Sequence, residues 1–174
     1  MECLNDLFDK SNSRPIKYNG DIIVLNDEFP VNDGDELIIC IEETNSQWVQ
    51  GIVVDVTGEC EVNGTHHKQG KGMRVLFWED TEVLDPKHME IKIFTKKSYV
   101  KIYNMWETKE LIFKDKNDNP HSKMLAGPAD RNNNASMIVE EIENGRRYRC
   151  SDGPPPINFN NIIFTITKKD AMLH

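Results

Sequence analysis

The sequence predicts an all-β protein: an antiparallel β-sandwich or barrel, packed as one unit or as two stacked β modules, behind a short N-terminal helical turn. Three observations predict it. Apolar and polar residues alternate along several short runs, the period-two signature of a half-buried strand. Turn-forming Gly, Asn, Asp and Pro residues interrupt these runs every roughly 8 to 15 residues, the spacing of sandwiches and barrels. No segment holds a helical period beyond a turn or two.

The elements follow in order. Residues 1–20 form a docking tail: Leu4, Leu7 and Phe8 fit a helical turn or two, and a Ser/Asn/Pro-rich connection follows. Residues 21–25 are a short apolar run. Residues 36–43 (ELIICIEE) follow the turn formers Asn32, Asp33, Gly34 and Asp35. Residues 48–56 (WVQGIVVDV) are rich in β-branched side chains, with Gly51 placed for a bulge. Residues 59–62 lead into Asn63-Gly64, a hairpin dipeptide. The polar stretch 65–72 reads as a loop, and 74–78 as a strand. Residues 79–88 (EDTEVLDPKH) are the best linker between a first module, 21–80, and a second, 89–170.

In the second module, 89–95 and 100–106 both alternate, and the short Lys96-Lys97-Ser98 connection predicts that they pair as a hairpin. Residues 115–134 are a long polar insertion. Residues 136–142 and 146–150 flank Asn144-Gly145, the strongest local hairpin signal in the chain. Pro154, Pro155 and Pro156 exclude regular structure there, and 162–167 form the last strand.

Composition narrows the function classes. The chain has 174 residues with 29 acidic and 21 basic side chains, a formal net charge of −8. Such a surface repels nucleic-acid backbones and anionic membranes, and suits a basic protein partner. No apolar stretch approaches the roughly 20 residues of a membrane span. Residues 1–14 lack the basic start and apolar core of a secretory signal, so a cytoplasmic location is expected. Cys3, Cys40, Cys60 and Cys150 are then expected to be reduced and to act as small hydrophobes.

No motif carries a catalytic signature. His66 and His67, with Cys60 nearby, lack the paired spacing of zinc ligands. Asp115 to Asn119 resembles the start of a calcium loop, but Pro120 stands where glycine is needed and Ala126 where an acid is needed. Nucleophile elbows and phosphate loops are missing, and Gly70-Lys71-Gly72 is too short to count as one. No cofactor or metal is expected. Glu79-Asp80 and Glu140-Glu141 are paired carboxylates, and adjacent acids in a strand face opposite ways. Arg147 and Arg149 share one strand face and are expected to pair with Glu140, Glu141 or Glu143 across the hairpin. Trp48, Trp78 and Trp106 lie in or at the ends of strands, where tryptophans fill cores or form binding hot spots.

Three segments resemble a group of small, uncharacterised bacterial proteins: residues 75–81 (VLFWEDT), 100–108 (VKIYNMWET) and 137–153 (MIVEEIENGRRYRCSDG), with the strand at 160–166. The shared signatures are WEDT, YNxW and GRRYRCxDG, and the resemblance covers about the C-terminal 100 residues. It implies a bacterial, cytosolic, β-rich protein and no particular activity. Those proteins tend to carry an aspartate-rich stretch after the Cys-x-Asp-Gly segment, where this chain reads Pro154 to Asn160.

The leading functional expectation is a non-enzymatic, protein-binding role, in its most concrete form an immunity or antitoxin-like inhibitor of a basic toxin such as a nuclease. A second is a β-barrel or sandwich that binds a carbohydrate or other small molecule near the tryptophans. A third is a hydrolase using Asp80, Glu79 and Asp152. The binding candidates are Trp48, Trp78, Glu79, Asp80, Trp106 and Asp152.

Overall fold

A computed structural model describes residues 4–68, 72–108, 113–114, 116–121, 124–126, 135–153 and 156–169, with backbone only at 113–114, 120–121 and 124–126. Cys3, most of the 115–134 insertion including its calcium-like start at Asp115, Gly70-Lys71, and Pro154 and Pro155 lie outside the described residues.

Helix α1 (Leu4–Lys10) precedes β1 (Ile16–Tyr18), β2 (Asp21–Val24), β3 (Asp27–Pro30) and β4 (Glu36–Thr44). Then come β5 (Val49–Val56), β6 (Glu59–Val62), β7 (Thr65–Lys68) and β8 (Met73–Trp78). The later strands are β9 (Met89–Phe94), β10 (Tyr99–Glu107), β11 (Phe113–Lys114), β12 (Pro120–His121) and β13 (Met124–Ala126). The last are β14 (Ser136–Ile142), β15 (Gly145–Ser151) and β16 (Ile162–Lys168).

Two antiparallel sheets pack face to face as a sandwich that does not close into a barrel. The larger has nine strands in the order β1-β2-β14-β15-β16-β4-β9-β6-β7. The smaller runs β13-β10-β5-β8, with β3 also paired to β10. Both sheets take strands from either side of residues 79–88.

Alternation builds the core. Leu37, Ile39 and Ile41 of β4 face inward beside Met89 and Ile91 of β9 and Phe164 and Ile166 of β16. Opposite them lie Ile52, Val54 and Val56 of β5 and Val100 and Ile102 of β10, all buried. Tyr148 and Phe164 stack at 4.7 Å between ring centroids. A smaller core gathers Leu4 and Phe8, one helical turn apart on α1, with Ile23, Leu25 and Ile138. Ile138 alternates with the inward Met137 and Val139, so α1 covers the outer face of the nine-stranded sheet.

Several expectations need correction. The pairing of 89–95 with 100–106 does not occur: β9 bonds to β4 and β6, and β10 to β5, β3 and β13. The short connection between β9 and β10 crosses from one sheet to the other. Alternation records one buried face but not which strand lies alongside. Residues 65–68 are a strand, not a loop: Asn63 and Gly64 both have positive φ, 47° and 83°, and return the chain along β6. All four β7 side chains are exposed, so no apolar pattern marks them. The tail also ends in a strand, β1, which forms a hairpin with β2 through a turn at Asn19 and Gly20, with φ of 49° and 89°. Gly51 makes no bulge and pairs in register with Trp78 and Met105. A Cβ there would sit 2.8 Å from the Trp78 ring, so glycine makes room for the indole.

Candidate functional site

The site grows from two polar residues that fall in phase with the core. In β5, Gln50 points the same way as Ile52, Val54 and Val56. In β10, Asn104 and Trp106 continue the inward row of Val100 and Ile102. Trp106 is paired directly with Gln50 in the register of the two strands. At this end of the sandwich the smaller sheet therefore turns an amide, an indole and a second amide toward the larger one.

The larger sheet answers with Asp152, just past the end of β15 and 4% exposed. Gln50 Nε2 donates to Asp152 Oδ2 at 2.9 Å, and Ser46 Oγ donates to the same oxygen. The Asp152 N–H donates to Asn161 Oδ1 at 3.1 Å, while Asn45 and Asn161 exchange backbone and side-chain bonds that pin the Ser46 bend. Asn104 Nδ2 donates to the Ser151 carbonyl at 3.1 Å, a second tie between the sheets. Burial pushes the Asp152 carboxyl above its ordinary range, and the bonds from Ser46 and Gln50 oppose that shift without cancelling it.

Among the described residues, three polar atoms on this inward face have no hydrogen-bond partner: Gln50 Oε1, Asn104 Oδ1 and Trp106 Nε1. The orientation of both amides follows from their neighbours. Gln50 Nε2 meets the Trp48 carbonyl and a carboxylate, and Asn104 Nδ2 meets a carbonyl; these groups accept only. The free atoms are therefore two acceptors and one indole donor. Among the described residues, the buried hydroxyls of Ser136 and Ser151, paired across β14 and β15 on the adjoining end, also have no hydrogen-bond partner.

The sequence-predicted residues separate into three groups. Trp106, fully buried, packs with Ala135 and with the half-buried Trp48, and Gln50, paired with Trp106 and bonded to the Trp48 carbonyl, links them to Asp152. Glu79 joins them through Gln50: its Oε1 accepts from the Gln50 N–H at 2.9 Å. Asp80 is exposed, next to Glu79 but outside this network. Trp78 lies over Gly51, opposite the inward face, so the three tryptophans do not form one platform. Ser46, Gln50, Asn104, Ser136 and Ser151 were not singled out from the sequence. The available signal was phase: Gln50 and Asn104 are polar residues at positions that alternation assigns to the core.

The other candidates lie elsewhere. His66 bridges Glu59 at 2.9 Å and Glu61 at 3.3 Å on the outer face of β6 and β7. His67 lines a groove of about 460 Å3 between β7 and β8 with Lys68 and Arg74. Among the described residues, no three His, Cys, Asp or Glu side chains are placed to hold a metal. Cys40, Cys60 and Cys150 are free thiols, and burial raises the pKa of each. Arg147 and Arg149 pair with Glu140 at 3.4 and 2.8 Å, as the hairpin spacing predicts. No helix among the described residues is long and apolar enough to cross a membrane.

The chain matches no family model, no curated protein and no solved structure.

Proposed function

We propose that the chain is a non-enzymatic binding protein that holds a small polar molecule at the Asp152 end of the sandwich, beside Trp48 and Trp106. One observation carries this reading: among the described residues, three buried side-chain polar atoms without hydrogen-bond partners lie on the same inward stretch of β5 and β10, beside a buried acid. Each such group costs about 1–3 kcal/mol when unsatisfied. Together they are a large charge against the roughly 5–15 kcal/mol that a fold typically retains. A bound molecule that satisfies them removes this penalty. The Ser46–Trp48 bend, where both named side chains are only half-buried, is the approach from solvent.

Thermal unfolding across a collection of small metabolites tests the proposal. A ligand present at 100 times its Kd should stabilise the fold by about 2.7 kcal/mol. If no compound raises the midpoint at millimolar concentration, the reading fails.

A second reading, an acidic inhibitor of a basic protein such as a nuclease toxin, is favoured by the carboxylates at the same end. Glu43 is held by Asn45 and Glu79 by Gln50, Asp80 follows Glu79 in the turn after β8, and Glu107 ends β10. Co-expression with a strongly basic product of an adjacent gene should give a stoichiometric complex that weakens with salt. A mixture that elutes as two separate proteins at low salt counts against it.

A further inference from the structure

We propose that the open edge of β8 takes up an acidic, extended segment of a partner protein as an added strand. This edge shares no residue with the Asp152 network and is independent of the small-molecule reading. Among the described residues, β1, β3, β7, β8 and β13 are the edges of the two sheets. Four of them are only three or four residues long, and short edges protect a sheet from further pairing. β8 runs for six residues in unbroken register with β5, without a proline or a bulge to blunt it. The Glu79 N–H donates to the Gln50 carbonyl at 2.9 Å and so sets the phase of this ladder. Bonded and non-bonded pairs alternate along it, so Val75 and Phe77 bond to β5, while Arg74 and Leu76 turn both backbone groups outward. The outward Trp78 carbonyl is taken by the Thr81 N–H. Leu76 is 40% exposed on this edge.

Charge identifies the occupant. The groove between β7 and β8 runs along this edge, and its ionisable lining is His66, His67, Lys68 and Arg74, with no acid. His66 is engaged by Glu59 and Glu61. Among the described residues, no hydrogen bond or ion pair engages the side chains of His67, Lys68 or Arg74, although Asp55 stands opposite Arg74 in the β5–β8 register. A basic groove on a chain of net charge −8 attracts an acidic segment and not a second copy, which would set the same cations against each other. The outward backbone groups of Arg74 and Leu76 bind an extended chain as a sheet does. Successive side chains of the added strand then point alternately into the groove, toward His67, and onto the outer face, beside Arg74 and Leu76.

Backbone amide NMR on the full chain tests this with three probes: a blocked octapeptide of alternating glutamate and valine, its lysine–valine counterpart, and an oligothymidylate. The expected result is a saturable shift of the Arg74 and Leu76 amides with the glutamate peptide and none with the other two. Reversing charge at two exposed positions, Lys68→Glu with Arg74→Glu, should weaken the glutamate peptide about tenfold. Leu76→Pro removes an outward N–H and no bond to β5, so it should abolish binding while the remaining β5 and β8 amide peaks persist. Equal binding of both peptides would overturn the acidic specificity, and no shift from either at millimolar concentration would overturn the edge site. Shifts with the oligothymidylate alone would make the groove a nucleic-acid contact and defeat the proposal. Peptide binding undiminished by Leu76→Pro would exclude an added strand. If the β8 amides move with protein concentration alone and the sedimenting mass doubles, the occupant is a second copy and the proposal is wrong.

Discussion

Two aspartates tie the sheets together at opposite ends of β15, and they are treated differently. Asp27, on β3, accepts from Tyr148 Oη at 2.6 Å and from Arg146 at 2.9 Å. Arg146 also donates to the Glu28 carbonyl through Nη1 and to Glu141 through Nε. Burial and the neighbouring Asp27 carboxylate hold the Tyr148 phenol far above its ordinary range, so it remains a donor. Asp152, by contrast, meets a hydroxyl and an amide, and unpartnered atoms stand next to it. One end is a closed polar network with its charge paired. The other is an open set of donors and acceptors around an acid whose named partners are neutral. Satisfied networks fix a fold, whereas each unsatisfied buried polar atom calls for an explanation of its own.

The comparison can be broken most forcefully at the Asp27 end. Asp27→Ala removes the acceptor of the buried Tyr148 phenol and one of the two carboxylates that face the largely buried Arg146 guanidinium. It should cost about 2–4 kcal/mol in denaturant unfolding. A loss below about 0.5 kcal/mol would mean that this end is not the structural one.

At the other end, Asp152→Asn should change the pH dependence more than the stability at any one pH. Burial raises the folded-state pKa, so the native protein keeps its proton to higher pH than the unfolded chain. The stability due to Asp152 is complete below the unfolded carboxyl pKa of about 3.9 and is lost as pH rises through the folded value. The Asn variant has no such proton to lose. Its stability relative to wild type should therefore improve as pH rises above about 4 and level off once the raised folded-state pKa is passed. Denaturant titrations across that range measure the difference, and a constant offset would contradict the assignment.

The smallest effect belongs to the surface ladder of Arg147, Arg149, Glu140 and Glu42, whose ion pairs are all about a third exposed. Glu140→Gln should cost less than about 1 kcal/mol, and the cost should shrink with added salt. A larger, salt-independent loss would show that charge pairing at the surface rivals the Asp27 network.

The fold class was legible because alternation is written into β4, β9 and β16 residue by residue. Strand partners were not, since a period of two records one buried face and carries no label for the neighbour. The Asn-Gly dipeptides show how local signals differ in use. At Asn63-Gly64 and Asn19-Gly20 both residues take positive φ and form the turn. At 144–145 only Asn144 does so, with φ of 61°. Gly145 already pairs with Ile142, and it is glycine because the Ile166 carbonyl lies where a Cβ would be. Of the site, Trp48, Glu79, Trp106 and Asp152 were legible as residue types suited to binding. Their convergence through Gln50 and Asn104 was not, because it depends on which ends of two sheets face each other.

The placement of β2 has a consequence for synthesis. The N-terminal helix and first hairpin emerge early, yet the strand that receives them, β14, comes from the far end of the sequence. Leu4, Phe8 and Ile23 therefore lack part of their cover until Ile138 has left the ribosome and found its sheet. Such distant pairings slow folding and lengthen the time that greasy surface is open to misassociation. A nascent chain stalled before residue 136 should accordingly be a favoured client for chaperones that grasp short apolar segments.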